Sequence, residues 1–533
     1  MHPRRLSELR SGPWAVMAVI TAGALTASGC TGAASSGADT VLTVASSADV
    51  TTLDPVASFS TEAMYLGNIY EPLLWKNPSG SAHAYSPAIA TSWKKSADAR
   101  TWTFTIRHGV TFHDGTRVDA QAVRSSILAA QKNGGASFIW APLKSIDTPD
   151  SYTVVMHLKY AAAMDLIASS TYGAWIVSPK ALKAAAGDKT YYNRAGTDGG
   201  TGPYRLASYH SGKELVLRRA GTYWNTAHPA TYKTVDVQIT SDAVTAQQML
   251  TTGAVDFSTS FPLQNVKSYR KNPDYTVKDY TSPFNYVTFF NTRRKPLNNP
   301  LVRRALSYAT PYQDIITVGA QGYGTQSHGP VPKGIFPYDS SVPQYHQDLA
   351  EAKRLLAKAG YPKGGFSLTL TYASENEAEA RFVPLLKDAY AKIGVNLKVT
   401  SQRFNQQWQQ AKDDPAKAQD MFVLYYWPTY SDAGSDNLYS LYRSSAKPYF
   451  NLSYWKDGSY DALIDKAGTY TASDPAKARS LYVQAEKILY AQAPGLSLYD
   501  SRAVYVVPKK LSGFEFNENY PFTVFFADLK PAR

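Results

Sequence analysis

Three patterns predict an α/β fold. Residues 101–107, TWTFTIR, set Trp102, Phe104 and Ile106 against Thr101, Thr103 and Thr105, the period of two of a half-buried strand. A helix with Leu355, Leu356 and Ala359 on one face precedes two strand-like runs, 366–372 and 395–399, which flank a further helical stretch ending near Gly394. Residues 421–427 are continuously apolar, as in a strand covered on both faces. Strand, helix, strand in that order needs a crossover, which implies a parallel sheet.

Each element has a local cause. Asp119 can cap a helix over residues 120–131, where Val123, Ile127 and Leu128 recur at helical spacing. Asp348 heads the next, with Glu351 at its third helical position in a capping-box-like arrangement, and Gly360 and Pro362 stop it. Along 366–372 the inward set is Phe366, Leu368, Leu370 and Tyr372. Residues 475–492 form a long amphipathic helix, and no repeat of fixed period occurs. With 533 residues, 44% hydrophobic and 18% charged, the chain is ordinary folded protein, and at roughly 150 residues per domain it holds about three domains.

The first thirty residues read as an address. Arg4, Arg5 and Arg10 precede an apolar run from Trp14 to about Leu25, then Ala27, Ser28, Gly29 and Cys30. The run is shorter than the about 20 residues a spanning helix needs, so the mature chain is not expected to cross a membrane. Small residues before a Cys resemble the bacterial lipobox, with Ala27 where Leu is usual. That resemblance makes 1–29 a signal peptide, Cys30 a diacylated N-terminus and 30–39 a flexible tether. A plain cleavable signal is the alternative, and Arg4-Arg5 leaves a twin-arginine export route open. The expected location is the extracytoplasmic face of the cell membrane, held by lipid.

Catalytic and nucleic-acid signatures are scarce. A single Cys excludes an intramolecular disulfide and a cysteine-based zinc site. There is no GxSxG elbow, HExxH pair or Walker A loop, and Gly196, Gly199, Gly200 and Gly202 lack dinucleotide-loop spacing and read as a tight turn. His108 and His113 face opposite sides of an extended stretch and are not expected to share a metal. Asp461 and Asp465 lie one helical turn apart, but Lys466 beside them suggests solvated surface. The formal charge of +13 falls to +11 once three Arg and one Glu leave with residues 1–29, and the charges are dispersed, with runs such as Arg293-Arg294-Lys295 and Arg303-Arg304 short. Attraction to an acidic envelope accounts for them better than nucleic acid.

Beyond these readings the chain resembles the extracytoplasmic solute-binding proteins of family 5, which serve peptide, dipeptide, oligopeptide and nickel-chelate ABC importers. The resemblance rests on TTLDPVASFSTEAMYLGNIYEPLL at 51–74, SPAIATSW through WTFTIRHGVTFHDG within 86–115, TGPYRL at 201–206 followed by Tyr223-Trp224, Val302, Arg303, Ala305 and Leu306, GYGTQSHGPVP at 322–332 and EAKRLLAKAGYP at 351–362. It implies a periplasmic-binding-protein-like type II (cluster C) α/β fold, two lobes with a hinge plus an extra inserted domain. Lobe I would be discontinuous, 40–75, 178–283 and 498–533; the inserted domain II 76–177; and lobe III 284–497. Two strands crossing between the large lobes would form the hinge.

The resemblance also implies binding residues. Peptide-binding members carry Trp-x-x-Asp-Tyr, whose Asp pairs with the peptide α-ammonium; here 427–432 are Trp-Pro-Thr-Tyr-Ser-Asp, so Tyr430 occupies the aspartate's place and Asp432 follows two residues on. An unpaired ammonium buried in a closed cleft costs several kcal/mol. Three readings stay open: Asp432 supplies the carboxylate, Asp500 supplies it, or the ligand has no free α-amine. Phe59, Thr61, Phe404 and Tyr499 fall where other members touch ligand, and Phe404 and Trp427 could form flat walls for rings or side chains, with plain core packing as an equal alternative at each.

The function so implied is a lipid-anchored receptor of an ABC importer, a monomer that captures peptides by hinge closure and hands them to permease subunits driven by a cytoplasmic ATPase. No cofactor, metal, nucleic acid or enzymatic activity is expected. Oligosaccharides or metal chelates are the alternative solutes; a surface hydrolase, or a signalling or interaction lipoprotein without transport, are the alternative classes. Aromatic residues suit cleft walls, but 38 Tyr exceed what a cleft can use.

Overall fold

The computed structural model describes residues 40–532 apart from 49, 134, 431, 433 and 446–449. The signal segment 1–29, Cys30 and the tether to 39 lie outside the described residues. From Asp39 onward the chain forms one compact unit built around three larger sheets.

The first sheet orders Phe257–Ser258, Val41–Ser46, Thr234–Ile239, Glu214–Arg219 and Tyr204–His210. Val41–Ser46 runs parallel to both its neighbours, and the remaining pairs are antiparallel. The second is an antiparallel sheet of Ala90–Lys95, Thr101–Ile106, Thr153–Leu158 and Leu143–Asp150. As its alternation predicts, Trp102, Phe104 and Ile106 are buried. They pack on the helix Ala120–Asn133, where Asp119 Oδ1 accepts the Ala122 N–H at 2.8 Å.

The third sheet orders Gly324–Gln326, Gly495–Pro508, Tyr275–Phe290, Met421–Tyr426, Phe366–Ala373 and Val395–Gln402. Asp348 caps the helix Leu349–Lys358 by accepting the Glu351 N–H at 2.9 Å, and Phe366–Ala373 pairs parallel with Val395–Gln402 across the helix Glu377–Ala391. The parallel sheet expected from that crossover is in fact mixed. Met421–Tyr426 pairs parallel with Phe366–Ala373 on one side and antiparallel with Tyr275–Phe290 on the other. A local βαβ unit specifies its own pair, and strands contributed from distant sequence complete the sheet. Met421–Tyr426 is buried on both faces: Met421 and Val423 enter one core, Phe422, Leu424 and Tyr426 the other. The helix Pro475–Gln492 covers the second of these, with Ala478, Tyr482, Ala485 and Leu489 inward.

Two long strands tie the sheets together. Tyr275–Phe290 and Gly495–Pro508 run antiparallel, with a register break between Thr281 and Asn285. On one side of the break Tyr280, Ala503 and Val507 belong to the core of the first sheet; on the other Tyr286, Leu496 and Tyr499 belong to that of the third.

The sequence blocks shared with solute-binding proteins dock on one another. His113 places Nδ1 2.5 Å from Asp198 Oδ1 and Nε2 2.9 Å from the Gly202 carbonyl, and its N–H donates to Gly200 O at 2.7 Å. His108 is exposed and stacks on Tyr152 with ring centroids 3.7 Å apart. Trp224 Nε1 and the Tyr223 hydroxyl donate to the buried Glu71 at 2.7 and 3.2 Å. Burial pushes that carboxyl up to about 7 against these hydrogen bonds. Of the glycine cluster expected to form a tight turn, only Gly196 lies in a turn, and residues 197–201 run without one; what Gly200 answers is close backbone approach, since a Cβ there would lie 2.1 Å from the Ile69 carbonyl oxygen. Gly200→Ala is therefore expected to cost ~2–3 kcal/mol of stability. The control Gly221→Ala, whose Cβ would meet nothing within 4 Å, should be near neutral in the same thermal unfolding experiment.

Candidate functional site

A cleft of about 870 Å³ lies between the second and third sheets. One wall comes from the segments around 135–142 and 160–167, including Phe138, Ile139, Tyr160 and Leu166; the other comes from 430–482. Phe138, Tyr160 and Tyr439, at 40%, 41% and 47% exposure, stand at the cleft as exposed rings. Hydrogen bonds cross beside it: Ser170 Oγ donates to Thr429 O at 3.2 Å and Lys95 Nζ to Ala472 O at 2.5 Å.

Asp432 organises the second wall. Its Oδ1 accepts the N–H groups of Gly434 and Ser435 at 2.9 and 3.0 Å, and its Oδ2 accepts Ser435 Oγ at 2.7 Å. This caps the helical segment Gly434–Tyr442, whose first turn is wound wide as a π-helix and whose second is α-helical. Burial, aided by the nearby Asp436, pushes the Asp432 carboxyl up to about 6, while the Ser435 and Gly434 donors oppose the rise. Asp436 is itself buried and accepts the Tyr426 hydroxyl at 2.8 Å and the Thr429 N–H. Tyr430 lies beside Asp432 in the cleft wall, its phenol pushed well up by burial and then by the Asp432 charge.

The other sequence-derived positions are distributed unevenly. Trp427 follows Met421–Tyr426 and packs among Phe522, Tyr425 and Phe284, with centroids at 5.0, 5.8 and 6.2 Å. Phe59 stands one ring behind the cleft, edge-on to Tyr172 at 5.1 Å and to Phe138 at 5.8 Å. Thr61 precedes the helix Ala63–Ile69 and gives its carbonyl to the Met64 N–H. Phe404 opens the helix Phe404–Asp413, donates its N–H to Glu375 at 2.9 Å and packs on Trp408. Tyr499 is 1% exposed and stacks on Tyr286 at 4.7 Å in the core of the third sheet. Asp500 is buried, accepts Ser327 Oγ at 2.7 Å and the Lys333 N–H at 2.9 Å, and is pushed up to about 7 by burial against those bonds. Only Tyr430 and Asp432 of the eight line the cleft.

Sequence reasoning passed over the rest of the wall. Ser435, Tyr439 and Arg443 all line it, and their four-residue spacing behind an Asp cap was a legible signal. Asp465, read as solvated surface, is half-exposed but lines the cleft in a bidentate pair with Arg443 at 2.6 and 2.7 Å. Among the described residues no group of three or more His, Cys, Asp or Glu could hold a metal, and no helix is long and apolar enough to cross a membrane.

Sheets joined by a pair of crossing strands, with a cleft walled from two sides, describe a two-lobe binding protein. Residues 84–450 match the bacterial extracellular solute-binding proteins, family 5 Middle, and the chain belongs to that family. It is 27% identical over 482 residues to the probable D,D-dipeptide-binding periplasmic protein DdpA of Escherichia coli K12, covering 90% of this chain and 92% of the relative. It is likewise 27% identical over 496 residues to the glutathione-binding protein GsiB of Salmonella paratyphi A, covering 91% and 94%. Among solved structures, the ABC transporter-associated periplasmic binding protein DppA of Helicobacter pylori, in complex with the peptide STSA, superposes with a TM-score of 0.79 at 26% identity over 92% of this chain and 98% of that one. The fold is the two-lobe type II fold of periplasmic binding proteins.

Proposed function

We propose that the chain captures short peptides outside the cell and delivers them, unaltered, to the permease of an ABC importer. The observation that carries this reading is a cleft walled from two bodies of the fold, because a ligand touching both shifts an open–closed equilibrium toward closure. The register break in the two long strands between Thr281 and Asn285 is a suitable hinge. In this reading lobe I comprises 40–75, 178–283 and 498–533, domain II 76–177 and lobe III 284–497. A lipid anchor on Cys30 holds the monomer at the membrane, and ATP is hydrolysed by the partner ATPase.

The cleft volume is in the range of small-ligand sites, and the relatives are peptide-binding or glutathione-binding by name. The position of Asp432 in the cleft wall favours it over Asp500, which does not line the cleft, as the partner of a peptide α-ammonium. Mass spectrometry of material extracted from the purified protein is expected to find peptides. A sugar or a metal chelate in their place, together with no heat on titration with a peptide pool, would sink the proposal.

A further inference from the structure

A smaller cavity, of about 50 Å³, lies between the helix Pro475–Gln492, the 322–332 block and the start of the strand Gly495–Pro508. It has room for an ion and a water or two, and none for a peptide or a sugar. No residue that lines it lines the cleft, so its role stands whether or not the cleft takes peptides.

Glu486 reaches this cavity from the helix. The residue is 2% exposed, and its Oε2 has no hydrogen-bond partner. The facing backbone is close: a Cβ on Gly329, where φ is 147°, would lie 2.6 Å from Glu486 Oε1. Only glycine there leaves the carboxyl its place.

The donors among the lining side chains are spent elsewhere. Ser327 Oγ donates to Asp500 at 2.7 Å, Gln344 Nε2 to the Gln326 and Ser327 carbonyls at 2.9 and 3.3 Å, and His328 Nδ1 to Val342 O at 2.8 Å. The Tyr312 and Tyr345 hydroxyls donate to Ser307 O at 3.2 Å and Tyr490 O at 2.6 Å. What these hydroxyls, the amide and the rings still offer is lone pairs and π-faces, which attract cations.

Among the described residues no Lys or Arg lines the cavity. Burial, and then the like charge of Asp339, push the Glu486 carboxyl well up. A buried carboxylate without a counter-charge is strongly unfavourable. One negative charge is matched by one monovalent cation, and the carboxylate-rich set of a calcium site is absent among the described residues.

We propose that this cavity binds a weakly hydrated monovalent cation of the potassium or ammonium kind, with Glu486 as its charged ligand. The bound ion neutralises the buried carboxylate and ties the helix Pro475–Gln492 to the 322–332 block.

Thermal unfolding in potassium chloride and in choline chloride at equal ionic strength tests this, because choline is too large for the cavity. Potassium should raise the wild-type Tm by about 2–4 °C, and the gain should saturate with concentration. Glu486→Gln keeps the shape and removes the charge, so its Tm should be the same in both salts. Crystals grown in rubidium chloride should show an anomalous peak beside Glu486 Oε2. A wild-type Tm indifferent to the cation overturns the proposal and needs no variant. A potassium gain that persists in Glu486→Gln overturns it too, as does an ordered water without anomalous signal beside that oxygen.

Discussion

Asp432→Asn is expected to lower the affinity for a free-amine peptide by about 10- to 100-fold, the worth of a charge-assisted hydrogen bond out of water. The fold should survive, because an Asn Oδ1 still accepts from Gly434 and Ser435 and keeps the cap; what is lost is the negative charge. An N-acetylated peptide should therefore bind wild type and variant alike. A pH titration separates charge from shape. Burial, with the Asp436 charge adding to it, holds the Asp432 carboxyl near 6, and the ammonium binds only its ionised form. Proton and ligand compete, so wild-type affinity should fall as pH drops through 6, approaching tenfold per pH unit below it, while the Asn variant stays flat. The effect on ligand-free stability follows the same shift. A carboxyl raised above its unfolded value contributes fully below about pH 4 and loses that contribution as pH rises through about 6. An equal loss of affinity for the acetylated peptide, or a pH-independent wild type, would show that Asp432 does not hold the amine.

Arg303→Ala is expected to destabilise the protein by about 3–5 kcal/mol without touching the cleft. Arg303 is 3% exposed on the helix Pro300–Ala309. It donates from Nε to the carbonyls of Gln492 and Ala493 at 3.0 and 3.1 Å, from Nη2 to Gln492 at 2.7 Å and from Nη1 to Leu297 at 2.8 Å. The Gln492 and Ala493 carbonyls are those where the helix Pro475–Gln492 ends, at Ala493 with φ of 45°. A helix C-terminus is short of donors and negatively polarised, so a cation suits it. Burial lowers the guanidinium to about 10, leaving it charged at neutral pH. Alanine would strand these carbonyls beside a cavity, whereas Arg303→Lys keeps the charge and should recover part of the loss. Urea unfolding measures both; a change under about 1 kcal/mol for the alanine variant would refute the cap.

The elements legible in the sequence are those whose causes are local. Asp119 and Asp348 cap the helices they precede, Trp102, Phe104 and Ile106 face one way, and residues 475–492 are one helix, because each depends on neighbours within a few positions. The blocks that identify the family were readable for a related reason: they are scaffold. His113 with Asp198, Glu71 with Tyr223 and Trp224, and Gly200 against Ile69 fit in few other ways.

Burial and partnership across the chain were not legible. Arg303 and Arg304 read alike as a short basic run, yet the fold buries the first and turns it onto carbonyls 189 and 190 residues away. Trp427, Phe404 and Tyr499 are equal as aromatic residues, and only strand register and helix placement set one among Phe284 and Phe522, another on Trp408 and the third on Tyr286. By itself, then, the sequence determined the layers, the caps and the family, since propensity, periodicity and close-packed motifs act over short range. Tertiary structure alone decided that Asp432, Arg443 and Asp465 meet in one wall opposite Phe138 and Tyr160, because a cleft is made of surfaces that no local pattern brings together.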